Sequence, residues 1–370
     1  MRMMVAGGGT GGHVYPALAV IEELLASEAL ASSDICYLGS PAGIELELAG
    51  KAGLRVETVQ SGQVRGKAPW QAAASLWRMG QGITQARAII REARPDVALV
   101  TGGYVGVPAA LAARSLWVPV VIYLPDLEPG LAVRALSRLV QRVAVTTDEV
   151  RRFFPAAKTV VTGYPVRRAI RTAQRAEARQ RLWLSDGRPT LLVTGGSRGA
   201  RSINQAVTAA AEEALASWQV VHITGPLDYE TVLAARSALP AEAQARYQVR
   251  EYLHEMEWAL AAADLVVARA GASVLGELPV RGLPAILVPY PYAGQHQEAN
   301  AAHLVSRGAA LRVADAQLGA ELPGLLRTLA EDPARLREMG RRAADLARPD
   351  AAAQLAAQLR QLALATPWGR

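Results

Sequence analysis

The chain has 370 residues, 51% of them apolar, and carries a formal charge of +7 with a pI near 9.8. This length exceeds one ordinary hydrophobic core, so two domains are expected, while Arg, Glu, Gly or Pro interrupts every apolar run before it could span a membrane. Cys36, the single cysteine, excludes an intramolecular disulfide and a cysteine-built metal site, and the positive balance favours anionic lipid or a phosphorylated substrate over nucleic acid, because the cations are spread along helical stretches rather than interleaved with aromatics.

Short apolar runs alternate with amphipathic stretches, the pattern of parallel sheets flanked by helices. Strands are expected at 3–6, 35–38, 97–101, 118–123, 143–146 and 159–162, then at 190–194, 218–224, 247–250, 265–268, 285–289 and 310–313. The first begins so near Met1 that no secretory leader fits, which predicts a cytoplasmic protein. Cys36 reads as a small apolar filler of the second strand. Between the two sets, 167–187 is polar and Arg-rich and reads as an interdomain connection. After Pro349 a last helix carries Leu355, Leu359 and Leu362 on one face. It either closes the second domain or crosses back to the first, and crossing back is preferred.

Two strands run into glycine-rich turns that open helices, Gly7 to His13 (GGGTGGH) and Gly195 to Ala200 (GGSRGA). Such a turn puts bare backbone N–H groups at a helix start, where aligned peptide dipoles stabilise a ligand's negative charge. Carried twice, the device predicts two nucleotide-binding-like halves with function in a cleft between them. Gly7, Gly9 and Gly12 meet the spacing G-x-G-x-x-G, yet the second strand ends Leu38-Gly39-Ser40 with no acid to hold a ribose, and Glu45 lies beyond it in an expected helix. A nicotinamide enzyme is therefore disfavoured, and a P-loop is excluded because no Gly-Lys-Ser/Thr follows either turn. At the helix start His13 has its cation disfavoured, which leaves a neutral imidazole able to accept a proton or donate one hydrogen bond; a capping or solvated histidine is the plainer alternative.

Residues 58–91 contain no acid, yet Arg65, Lys67, Arg78, Arg87 and Arg91 fall there. A helix begun by Pro69 would place Trp70 and Trp77 on one face with Leu76 and Met79 beside them. Tryptophan with flanking cations suits a segment resting at lipid headgroups, and burial of both rings in the first domain is the alternative. Trp117, just before the strand at 118, is a further candidate for the same patch.

The string Gly8-Gly9-Thr10-Gly11-Gly12-His13-Val14-Tyr15-Pro16-Ala17 closely resembles the first glycine loop of the MurG family, in glycosyltransferase family 28. Gly102-Gly103-Tyr104-Val105-Gly106-Val107-Pro108 is similar to that family's second glycine motif, Gly163-Tyr164-Pro165-Val166-Arg167 to its interdomain GNPVR, and Gly195 to Ala200 to its third glycine motif. Arg269-Ala270-Gly271-Ala272-Ser273 with Glu277, then Gly282-Leu283-Pro284 and the stretch 295–300, resemble its donor-binding part. The resemblance runs from about residue 3 to residue 350 with family-like spacing.

What the resemblance implies is an α/β chain of GT-B fold, two Rossmann-like domains facing across a cleft. An acceptor- and membrane-binding domain would span 1–164, with 351–370 packing back on it, and a UDP-sugar-binding domain 165–350. The implied reaction is inverting transfer of N-acetylglucosamine from UDP-N-acetylglucosamine to the undecaprenyl-linked acceptor lipid I. It would form lipid II for peptidoglycan synthesis at the inner face of the cytoplasmic membrane, with cell-wall synthesis proteins as further partners. Carried over by residue, Thr10, Gly11 and Gly12 lie near the donor and acceptor phosphates, with His13 beside them. Arg167 and Ser197 resemble diphosphate and nucleotide contacts, and Leu253 falls where a backbone amide reads the uracil edge. Ala272, Ser273, Val274, Leu275 and Gly276 match a helix start beneath the diphosphate, Glu277 the carboxylate that accepts both ribose hydroxyls, and Gln297 a contact to the sugar. Inverting transfer needs a base for the attacking hydroxyl and a positive or dipolar group for the departing diphosphate. The sequence holds no Asp-x-Asp motif, so metal-independent chemistry without a cofactor is expected.

The chain departs from the family at Tyr123-Leu124-Pro125-Asp126, where His-Glu-Gln-Asn is usual. Asp126 replaces an asparagine expected at the donor sugar; it accepts hydrogen bonds but cannot donate them. Either it contacts a hydroxyl or serves as base, or donor preference has changed, so His13 and Asp126 are both candidates for the catalytic base. Tyr164 and Gly276 are milder departures. The rival functions are a related UDP-sugar transferase with a diacylglycerol or other acceptor, a UDP-sugar epimerase, and a non-catalytic, membrane-recruiting nucleotide-binding subunit.

Overall fold

A computed structural model describes residues 1–9, 11–41, 43–62, 69–292 and 296–365. The chain divides into two compact units, Met1–Arg167 with the C-terminal stretch from Pro349, and Arg168–Arg348. In the first unit β1 (Met3–Ala6), β2 (Ile35–Gly39), β3 (Arg55–Thr58), β4 (Val97–Val100), β5 (Val120–Leu124), β6 (Arg142–Val145) and β7 (Thr159–Val161) form one parallel sheet in the order β3-β2-β1-β4-β5-β6-β7. In the second, β8 (Thr190–Thr194), β9 (Gln219–Ile223), β10 (Tyr247–Arg250), β11 (Leu265–Ala268), β12 (Ala285–Leu287) and β13 (Ala310–Arg312) form another, ordered β10-β9-β8-β11-β12-β13. Each sheet reverses its winding direction once, between β1 and β4 and between β8 and β11. In doubly wound sheets ligands gather outside the carboxyl ends of the strands at that point. The two glycine turns leave β1 and β8, so the topology puts both at switch points.

The edge strand β3 was not expected. Its sequence Arg-Val-Glu-Thr shows little burial, and it holds its place through parallel pairing with β2 and through Arg55, which bonds Glu57 and Glu92. Charged side chains on an edge strand discourage further pairing, which is why its hydrophobic signal is weak.

The last helix, Ala351–Ala365, lies in the first unit, where Leu355, Ala356 and Leu359 join a core built from Met3, Val5, Ile21, Leu24, Tyr37 and Leu99. Each buried leucine contributes roughly 1.5–3 kcal/mol to holding it there. Cys36 is buried in β2, and burial pushes its thiol up to about 11.

The Arg-rich stretch after Arg167, read as an interdomain connection, is helical and from Arg168 belongs to the second unit. Helices Arg168–Thr172 and Arg175–Arg181 pack against helix Met256–Ala262 and bury Ile170, Ala178 and Leu182. Arg175 grips both Asp264 carboxylate oxygens at 2.8 and 3.0 Å. Arg179, 6% exposed, donates to Thr190 Oγ1 (3.1 Å) and to the Ser185 and Arg188 carbonyls. Backbone acceptors at the start of β8 thus let guanidinium groups enter the fold.

A buried polar chain ties β9 to its neighbours. His222 Nδ1 lies 2.8 Å from Tyr247 Oη and Nε2 3.0 Å from Asn204 Oδ1, while Asn204 Nδ2 donates to the Thr224 carbonyl and to Asp228. Burial pushes the His222 imidazole down from 6.5 to about 3. The unfolded chain therefore gains this proton near pH 6.5 and the folded chain only near pH 3. Stability that is complete above pH 6.5 declines as pH falls through that interval, by up to about 1.4 kcal/mol per pH unit. Thermal melts of the native protein between pH 6.5 and 5 should show Tm falling with pH, and His222→Gln should flatten the slope. Equal slopes in both proteins would remove His222 as the cause.

Candidate active site

In the first unit the glycine turn after β1 is held from three sides. Tyr37 Oη donates to the Gly7 carbonyl (2.9 Å), Thr101 Oγ1 to the His13 carbonyl (2.7 Å), and the Gly9 N–H donates to Glu45 Oε2 (3.1 Å). Burial, with the Glu45 charge second, holds the Tyr37 phenol far above its usual range, so it stays a donor. The turn leaving β4 closes the other side. A Cβ on Gly103 would overlap the Gly8 carbonyl, and one on Gly102 would come 2.8 Å from His13 Nε2. Both residues have positive φ, +121° at Gly102 and +74° at Gly103, so two consecutive glycines are required here for conformation as well as for space.

Gly11, Gly12 and His13 open the helix Gly11–Ala26, and all three are partly exposed. Gly9 corrects the expectation of a bare amide, because Glu45 already accepts its N–H. Thr10 lies outside the described residues, as do Gln295 of the last motif and Arg65 and Lys67 of the basic stretch. Asp126 follows β5 and is partly exposed. The turn before it is anchored by Thr146 Oγ1, which donates to the Pro125 carbonyl at 2.9 Å and meets Tyr123 Oη at 3.1 Å. Tyr123 is 1% exposed, so the side chain in the place of the family's histidine belongs to the core. At the end of the first unit the Arg167 guanidinium stacks 4.5 Å above the Tyr15 ring.

The second unit holds its own cluster at the β8 and β11 ends. Gly196 and Gly199 have φ of +83° and +74°, and the Gly199 N–H closes the turn onto the Gly196 carbonyl at 2.9 Å. Ser197 is exposed at its tip. Leu253 is partly exposed beside an edge-to-face contact of Tyr252 with His254. After β11, Arg269 reaches Asp315 Oδ1 (2.5 Å), Ser202 Oγ (2.8 Å) and the Val288 carbonyl (3.1 Å), while buried Asn300 donates to the Ala270 carbonyl (3.0 Å). These bonds, none of them expected, fix both flanks of the Gly271 turn.

The segment Ala272, Ser273, Val274, Leu275 and Gly276 differs from the regular helix start expected of it. It is a single 3-10 turn, Ala272–Leu275, and a five-residue helix, Glu277–Arg281, follows. Pro279 has no N–H for the Leu275 carbonyl, so a continuous α-helix cannot run through it. Any anion here would meet local amides rather than a long helix dipole. Glu277 is the first residue of the short helix and is partly exposed. Gln297 Oε1 accepts the Tyr290 N–H at 3.0 Å, which orients its carboxamide.

The tryptophans do not enter a core: Trp70, Trp77 and Trp117 are 73%, 71% and 75% exposed. Helix Pro69–Ala93, which carries the first two, packs along helix Gly106–Ser115, whose following turn carries Trp117 under Arg114. Arg78 is also exposed.

Residues 3–145 match the glycosyltransferase family 28 N-terminal domain, and residues 190–355 the family 28 C-terminal domain. A UDP-N-acetylglucosamine–N-acetylmuramyl-(pentapeptide) pyrophosphoryl-undecaprenol N-acetylglucosamine transferase of Roseiflexus sp. is 42% identical over 98% of this chain and 95% of its own. A protein of the same description from Desulforudis audaxviator is 40% identical over 95% of each chain. Among solved structures, Acinetobacter baumannii MurG superposes with a TM-score of 0.74 at 27% identity, over 97% of this chain and 99% of that one. The UDP-GlcNAc 2-epimerase of Neisseria meningitidis, at TM-score 0.68 but 15% identity over 98% of this chain and 100% of that one, shares the fold alone. With both halves matched and near-full-length relatives at 40–42% identity, the chain belongs to glycosyltransferase family 28, as an enzyme of its MurG-type N-acetylglucosaminyltransferases with the paired α/β units of the GT-B fold.

Proposed function

We propose that this enzyme transfers N-acetylglucosamine from UDP-N-acetylglucosamine to lipid I and so forms lipid II. The observation that carries this reading is the placement of the glycine loops shared with the family at the switch points of both sheets, in a chain related to such transferases along nearly its whole length. The acceptor hydroxyl oxygen bonds the sugar's anomeric carbon as the carbon–oxygen bond to UDP breaks. The hydroxyl proton passes to His13, and UDP leaves with inversion to a β-1,4 linkage. Thr10, Gly11, Gly12, Arg167 and Ser197 serve the phosphates, the Leu253 amide reads uracil, and Glu277 holds the ribose. Ala272 to Gly276 lie beneath the diphosphate, and Asp126 and Gln297 hold the sugar. Incubating the purified protein with lipid I and labelled UDP-N-acetylglucosamine should yield labelled lipid II, at the same rate with EDTA present. A diacylglycerol glycoside in place of lipid II would favour the related transferase, and epimerised or unreacted donor would defeat the reading.

Membrane attachment is part of this proposal. No helix among the described residues is long and apolar enough to cross a bilayer. The exposed Trp70, Trp77 and Trp117, with Arg78 and with Arg65 and Lys67 in the adjoining segment, supply rings and cations for an anionic headgroup layer. Replacing Trp70 and Trp77 with serine should reduce sedimentation with anionic vesicles. It should also slow transfer to lipid I while sparing a short-chain soluble analogue, and added salt should weaken vesicle binding of the unaltered protein. Equal loss on both acceptors would show that the rings serve another purpose.

A further inference from the structure

Glu45 is 0% exposed, and its carboxylate is wrapped by loop backbone. Oε1 accepts from Ser40 N and Ser40 Oγ, both at 2.8 Å, and Oε2 accepts from Gly9 N at 3.1 Å. A Cβ on Gly8 or Gly43 would overlap the carboxylate, and one on Gly39 would come 2.7 Å from Glu45 Cγ. Gly8 in the turn after β1, Gly39 at the end of β2 and Gly43 in the link that follows it therefore make room for one side chain. Among the described residues no Lys or Arg pairs with it. Burying a carboxylate without a counter-ion costs several kcal/mol before its hydrogen bonds are counted, so stability alone is a weak reason to keep it.

We infer that Glu45 is a positioning residue for transfer: by accepting the Gly9 N–H it fixes the path of the loop that leads into Gly11, Gly12 and His13. This rests on the transferase reading above. The carboxylate cannot attract an anionic substrate, and its charge behind the loop opposes one. Its contribution is geometric. It occupies the amide that a dinucleotide-binding loop would offer to a pyrophosphate, and, with Gly103 backed against the Gly8 carbonyl, leaves the turn little room to shift. A displacement of about 1 Å in a group that acts on substrate can cost a hundredfold in rate.

Glu45→Gln preserves volume and tests this directly. If the amide oxygen stays with Ser40, its NH2 faces the Gly9 N–H and that bond is lost. Three readouts are expected. Hydrogen exchange should accelerate in a peptide covering residues 5–14 and stay unchanged in one covering 195–204. The kcat for lipid II formation should fall about ten- to a hundredfold, and the Kd for UDP should stay within about twofold, because the nucleotide contacts proposed above are mostly in the other unit. Ser40→Ala, which keeps the Gly9 bond, should change kcat less than about threefold. Unchanged exchange, unchanged kcat, tighter acceptor binding with undiminished turnover, or an equal effect of Ser40→Ala would each overturn the inference. Should the variant not fold, the unaltered protein decides: the 5–14 peptide must be protected in it, and exchange at the unstructured rate defeats the brace. Native protein that is protected in this peptide yet makes no lipid II would instead locate the failure in the transferase reading.

Discussion

His13→Ala is expected to lower kcat for lipid II formation by about two to four decades while leaving the affinity for UDP unchanged, which is the loss typical of a general base. The expectation starts from backbone. His13 is the third residue of its helix, its carbonyl is tied to Thr101, and its ring lies against Gly102, where any side chain would intrude. Asp126→Asn makes the complementary measurement. Asparagine is the residue the family resemblance places here, and it keeps the shape while removing charge and proton affinity. If Asp126 only touches the sugar, Asp126→Asn should stay within about tenfold of the native rate, because one hydrogen bond to a charged group is worth roughly 1.5–3 kcal/mol at most and the amide replaces part of it. Should Asp126→Asn be inactive with normal UDP affinity, and lose the acidic limb of the rate profile, the base is Asp126 and His13 holds the acceptor in place.

Much of this arrangement was legible in the chain because parallel strands buried on both faces are continuous apolar runs, as at Val97–Val100 and Leu265–Ala268, and because glycine turns have few structural uses. What could not be read depends on partners distant in sequence. Glu45 read only as an acid in an expected helix, too far along to be the ribose ligand of the second strand; the packing of Gly8, Gly39 and Gly43 around it reveals a loop brace. Its visible trace is glycines on both sides of a short strand–helix link, a pattern with many other causes. The stretch after Arg167 could be read only for its charge, since arginine composition cannot report that carbonyls just before β8 receive Arg179. Arg269 and Asn300 were legible as members of motifs, but their work of pinning the Gly271 turn emerged from bonds to Asp315, Ser202 and Ala270.

Gly199→Ala is expected to abolish measurable UDP binding, with a Kd raised by more than about a hundredfold, where Gly196→Ala costs far less. Both glycines have positive φ, so an alanine at either position meets the same conformational penalty of about 1–2 kcal/mol. They differ in what surrounds them. A Cβ on Gly196 meets nothing within 4 Å, whereas one on Gly199 would overlap the Thr224 carbonyl oxygen and come 2.9 Å from its carbon and 3.1 Å from Gly225 Cα. Those are backbone atoms at the end of β9, held by the Thr224 N–H bond to the Arg250 carbonyl and by Asn204, so they cannot swing aside as a flexible side chain would. Overpacking of this kind adds about 1–3 kcal/mol, and the cheapest relief is to move the turn that presents Ser197. Calorimetric titration with UDP and a thermal melt of each variant separate the two terms. Gly196→Ala should bind UDP within about tenfold of the native protein, and Gly199→Ala should lose binding together with several degrees of Tm. If Gly199→Ala binds UDP as tightly as the native protein, the third glycine turn does not contact the nucleotide.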